Sequence, residues 1–161
     1  MGTWTNIRTE KILGPNLSKT FQSFSHGPEI DGNECELHQI EKLLEIDLTP
    51  FTLRNYSGLW DESDFPPDEK EKLIKKQLEQ DKKWNDISEF LNLIEILLRA
   101  LKLRELNSKK INHKFEWWRE YFDFDTRNEN NDSFYNDLKI IESFLIESIN
   151  KGETRVAFYV E

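Results

Sequence analysis

Apolar residues recur along 85–106 at the spacing of one helical face. Ile87, Phe90, Leu91, Ile94, Leu97, Leu98 and Leu101 form a stripe, Leu93, Ile96, Ala100 and Leu103 widen it, and Ser88, Asn92, Glu95, Arg99 and Lys102 are left as a narrow polar strip. A helix so largely apolar has to be covered on most sides, which predicts it as the central element of the core. A second helix is predicted over 133–150. Phe134, Leu138, Ile141, Leu145 and Ile149 share one face there, Asp132 or Ser133 stands at the N-cap, and Gly152 is placed to end it. Leu37, Ile40, Leu44 and Leu48 mark a third helix near 34–46 with Asn33 as its cap. After a loop at 61–67, Pro66 and Pro67 suit the first turn of a fourth helix reaching Asp81, anchored only by Leu73, Ile74 and Leu78 and so mostly solvated.

Period-two patterning is confined to the ends of the chain. Residues 3–13 are Thr-rich with some alternation, Gly14-Pro15-Asn16 breaks the run, and 20–25 again read as extended, which predicts an N-terminal strand pair. His26-Gly27-Pro28 and Asp31-Gly32-Asn33 read as turns, and 50–60 holds at most a short strand. The tail from Thr154 to Val160 carries both valines of the chain and two aromatics, the best strand signature present. It needs partners, and the N-terminal strands are the obvious ones. The expectation is therefore an α+β fold: a helix-rich single domain, 1–161, with a small sheet formed by N-terminal and C-terminal strands packed on a helical layer.

Composition agrees with that outline. The chain has 161 residues, one-domain length, and although 33% are charged, 11 Phe, 5 Trp and 4 Tyr supply the apolar bulk that disordered chains lack. Leu and Ile dominate the remaining apolar set, which argues against an all-β fold.

The net charge of −9 opposes binding to a phosphate backbone, so no nucleic acid is expected and a basic protein partner is favoured. No apolar run approaches the ~20 residues of a membrane span and no leader pattern is present, so no membrane association is expected and the cytoplasm is the expected location. The lone Cys35 allows no internal disulfide, in keeping with a reducing compartment.

Candidate chemistry is sparse. The glycines at 2, 14, 27, 32, 58 and 152 cannot form a phosphate-cradling loop, and there is neither a Gly-x-Ser-x-Gly elbow nor a His-Glu-x-x-His motif. Cys35 and His38 are three apart, close enough on a helix to pair, but zinc needs further ligands and surface coincidence is the simpler account. Pro67-Asp68 with Asp81-Lys82-Lys83 formally matches a two-carboxylate nuclease pattern, yet the interval reads as a charged solvated helix. The stretch 125–137, with Asn128, Asn130 and Asp132, fails as a calcium loop because Ser133 replaces the sixth-position glycine and Lys139 replaces the twelfth-position glutamate. The Glu-x-x-His spacing of di-iron bundles is missing too. No cofactor and no metal are expected.

What remains is 114–132, where Phe115, Trp117, Trp118, Tyr121, Phe122 and Phe124 interleave with acids. No single helix face hides six aromatics, and Trp117 and Trp118 point about 100° apart, so one can enter the core while the other stays outside. Acid is concentrated in two blocks: residues 31–60 hold six acids against two bases and 113–132 six against three, while 61–112 nearly balance at twelve against eleven. If the fold joins the blocks, one acidic face results. The expected partner-binding residues are Glu116, Trp117, Trp118, Glu120, Asp123 and Asp125, although the same aromatics would equally serve as core around 85–106.

In size and acidic composition the chain resembles bacterial immunity proteins, which protect a cell from its own nuclease-type toxins. The resemblance is carried by general character and by no motif. It implies an inhibitor that covers a basic partner such as a toxin domain, without catalysis of its own. The alternatives are an enzyme with a site assembled from dispersed residues, such as Cys35 and His38 or Asp61, Glu62 and Asp64, and a helical scaffold or homodimer subunit.

Overall fold

The computed structural model describes residues 5–52, 54–56, 68, 84–113 and 115–160. The predicted loop at 61–67, the nuclease-like pair Asp68/Asp81 as a pair, the fourth helix, and the carboxylates Asp61, Glu62 and Asp64 lie outside them.

The architecture is α+β. Strand β5 (Arg155–Val160) holds the sheet together. Strand β1 (Thr5–Thr9) runs antiparallel to it with Ile7 opposite Phe158, and β2 (Leu13–Asn16) folds back on β1. Strand β3 (Arg54–Tyr56) pairs parallel with β5 from Phe158 to Val160, and the two-residue β4 (Asn85–Asp86) pairs antiparallel with Arg155 and Val156. The expected sheet of chain ends is present, extended by β3 and β4. Alternation explains why β5 needs two covers: Val156 and Phe158 on one face and Ala157 and Tyr159 on the other are all buried. On the Tyr159 side Trp84 lies between two guanidinium groups, 6.0 Å from Arg8 and 5.3 Å from Arg155.

Four helices are described: α1 (Lys19–Asp31), α2 (Glu36–Leu44), α3 (Ile87–Lys102) and α4 (Phe134–Asn150). The last two sit where periodicity places them and pack on each other. Asp86 caps α3 by accepting from Glu89 N, Ser133 caps α4 by accepting from Asn136 N, and Gly152 at φ 86° ends α4. Aromatic side chains join the layers. Phe51 meets Phe21, Phe24, Phe90 and Phe158, while Phe24 also meets Phe122 and Phe134, with ring centroids 5.0 to 6.1 Å apart.

Four local expectations are corrected. Residues 20–25 are helical, because Ser18 caps α1 through Phe21 N and the one-turn spacing of Phe21 and Phe24 buries both rings in the core. The second N-terminal strand is instead 13–16, the Gly-Pro-Asn stretch read as a break. Gly27 and Pro28 lie inside α1 rather than in a turn; a Cβ on Gly27 would stand 3.1 Å from Cys35 Cβ, so the missing side chain is what lets Cys35 approach α1. Finally, α2 starts after Cys35, not Asn33, because Gly32 at φ 61° and a 3-10 turn over Gly32–Glu34 come first.

Gly14 has the tightest surroundings of any glycine described. A Cβ there would lie 2.5 Å from the Ile7 carbonyl oxygen and 2.9 Å from the Phe144 ring. Backbone cannot yield as a flexible side chain does, so Gly14→Ala should cost about 3 kcal/mol by prising β2 from β1 and α4. Urea unfolding checks it, and a loss under about 1 kcal/mol would mean β2 is not held as described.

Candidate binding surface

The α1–α2 connection forms one wall of a cleft. Cys35 is buried, and one turn into α2 the Gln39 amide grips a distant backbone at two points: Asn112 N donates to Oε1 at 2.7 Å and Nε2 donates to Asn112 O at 2.9 Å. Gln39 Nε2 also lies 2.8 Å from Glu34 O. This clasp closes a cleft of about 610 Å³ whose lining includes Asp31, Glu34, Lys42, Asn112 and His113. It is the place where the first acidic block adjoins the start of the second. Ile30, next to Asp31, is 74% exposed, and Phe115, two residues past His113, is 49% exposed.

The residues expected to bind a partner divide in the structure. A 3-10 turn over Glu116–Trp118 sends Trp118 inward, where its ring packs on Tyr121 and Phe122, so Trp118 takes the core orientation and turns no ring outward. The side chain of Trp117 lies outside the described residues. Glu116, Glu120 and Asp125 are exposed, with Asp125 Oδ2 3.4 Å from Arg104 Nη2. Asp123 is half-buried and accepts from Ser108 N at 2.9 Å, which spends one of its oxygens on holding the 108–110 turn. Of the acids expected to bind, those on the surface are thus Glu116, Glu120 and Asp125.

A buried polar cluster that sequence reasoning missed fixes this loop to the helices. Asp137 accepts from Ser18 N at 3.1 Å, Ser18 Oγ at 2.6 Å and Tyr121 Oη at 2.8 Å, while being 2% exposed. Burial pushes its carboxyl up, opposed by the Ser18 and Tyr121 hydrogen bonds, and the wholly buried Tyr121 phenol is raised well above its usual value. Alongside, Thr20 Oγ1 donates to Asp132 at 2.7 Å and accepts from Asn128 Nδ2 at 3.0 Å. Asn128 Oδ1 accepts from the backbone of Asn130 and Asp132, so the Asn-rich loop folds on itself with its own amide as the pin. One signal was available: Asp137 stands on the Phe134–Leu138–Ile141 face of an otherwise apolar stripe.

Cys35 is buried and His38 half-buried beside Glu41. Burial pushes the Cys35 thiol up, whereas a reactive cysteine is held low, and His38 Nδ1 faces Glu41 Oε1 at 2.5 Å. Among the described residues, no three His, Cys, Asp or Glu side chains group as metal ligands would. No described helix is long and apolar enough to cross a membrane. Compared with models of known protein families, with curated proteins and with solved structures, the chain matches none.

Proposed function

We propose that this chain is a protein-binding module that presents an acidic surface to a basic partner, acting as an inhibitor of the immunity type that covers a toxin or similar cationic domain in the cytoplasm. The observation that carries this reading is the clasp between Gln39 and Asn112, which holds the chain just ahead of the second acidic block against the first, at a cleft lined by Asp31, Glu34 and Glu36. Exposed Glu34, Glu116 and Glu120, with apolar Ile30 and Phe115 nearby in sequence, supply the mixture of steering charge and desolvating contact on which protein recognition draws. Asp123 and Trp118 contribute by shaping the loop from within.

The test uses the immobilised protein and a Glu34→Lys, Glu116→Lys, Glu120→Lys variant as baits in lysate of the native host at about 50 and about 500 mM salt. One basic protein retained by the wild type, weakened by salt and lost from the variant is expected, with circular dichroism unchanged. Equal capture by both baits, or capture by neither, overturns the reading.

A further inference from the structure

His113 forms part of the cleft wall and is also the outermost of three stacked rings. Its imidazole is parallel to Phe122 within 5° at 6.1 Å, and Phe122 is parallel to Trp118 within 9° at 5.7 Å. Both of those neighbours are buried. His113 Nε2 lies 3.0 Å from Ser108 O, and a carbonyl only accepts, so the proton sits on Nε2 and the neutral ring leaves Nδ1 bare. That Nδ1 is buried and has no hydrogen-bond partner among the described residues. A bare aromatic nitrogen tolerates such a place, but a second proton there would make it a charged donor with nothing to receive it.

We propose that His113 is a pH-sensitive latch in the cleft wall: neutral, it stays stacked on Phe122, and protonated, it leaves the stack for the acid-lined cleft and loosens the chain around it. Desolvation holds the ring below its ordinary value of 6.5, opposed by the Ser108 carbonyl and Asp123 and aided by Arg119. On the cleft side the charged groups are Asp31, Glu34 and Glu36 with Lys42, an excess of acid that receives an imidazolium where the stack does not. The sign follows: the ring titrates lower when stacked than when released, so the latch is closed at neutral pH and opens as pH falls through 6.5 and below. The latch stands whether or not the cleft takes a basic partner.

The experiment is amide hydrogen exchange of residues 108–118, corrected for intrinsic rates, at about pH 7.5 and about pH 5.5, on the wild type and on His113→Phe, which keeps a flat ring and cannot titrate. Opening in the wild type should rise by up to about tenfold for each unit by which the stacked ring titrates below 6.5, with no such rise in the variant. An equal rise in both proteins, or none in the wild type, overturns the latch. Should His113→Phe fail to fold, nitrogen-15 titration of the wild-type imidazole decides instead. One midpoint shared by His113 and the local exchange supports the latch, and separate midpoints refute it. No partner enters the measurement, so its outcome is independent of the proposed function.

Discussion

Asp137→Ala is expected to destabilise the protein by about 3–5 kcal/mol, because it strands three donors at once. Tyr121 Oη, Ser18 Oγ and Ser18 N all point at this carboxylate, from a buried loop and from the start of α1, and alanine leaves each without its acceptor. Tyr121 is wholly buried, so water does not replace the lost partner. Urea unfolding gives the figure, and a loss under about 1 kcal/mol would show that the cluster joins α1, the 121 loop and α4 only nominally. A pH series separates charge from hydrogen bonding. Burial raises the folded-state pKa of Asp137 above its ordinary 3.8, so the folded state binds the proton more tightly and this group's stabilising contribution is lost as pH rises through the folded value. Asp137→Asn keeps an acceptor for Ser18 N without titrating. Relative to that variant, the wild type should therefore be more stable at about pH 4 than at about pH 7; a constant difference would mean the carboxyl pays no desolvation cost.

Leu97→Ala should cost about 2–5 kcal/mol. Leu97 is 0% exposed on the face of α3 that also buries Phe90, Ile94 and Leu101, where α3 packs on α4. Close-packed neighbours relax only partly around a deleted isobutyl group, so the cavity adds to the lost transfer energy. Chemical denaturation monitored by circular dichroism measures it. A loss below about 1 kcal/mol would remove α3 from the centre of the core.

The contrast between these two sites separates what is legible in a sequence from what is not. Leu97 is found by period alone, since a stripe of seven apolar residues from Ile87 to Leu101 on a 3.6-residue repeat marks a buried helix face. Asp137 is found only as an anomaly on such a stripe, because its partners Ser18 and Tyr121 are 119 and 16 residues away. The first helix shows the same limit. Thr20, Phe21 and Phe24 are good strand formers and Gly27-Pro28 reads as a turn, yet the Ser18 cap and the aromatic packing of Phe21, Phe24 and Phe51 outweigh those local preferences.

Much the same holds for the candidate surface. The excess of acid in 31–60 and 113–132, and the surplus of aromatics over available faces in 115–124, are properties of the chain itself. Which aromatics turn inward is a property of the fold: Trp118, Tyr121 and Phe122 join the core, while Phe115 is left half-exposed. The clasp of Gln39 on Asn112, 73 residues away, has no signature at all, because a glutamine on a helix surface looks the same whether it meets water or a backbone. Alone, then, the sequence determined the α+β class, helices α3 and α4 with the cap of α4 narrowed to Asp132 or Ser133, the C-terminal strand and the acidic balance, all of which depend on neighbours within a few turns. Only the tertiary structure decided the helical form of 19–31, the parallel pairing of β3, the burial of Asp137 and the stacking of His113, since each depends on groups that folding alone brings together.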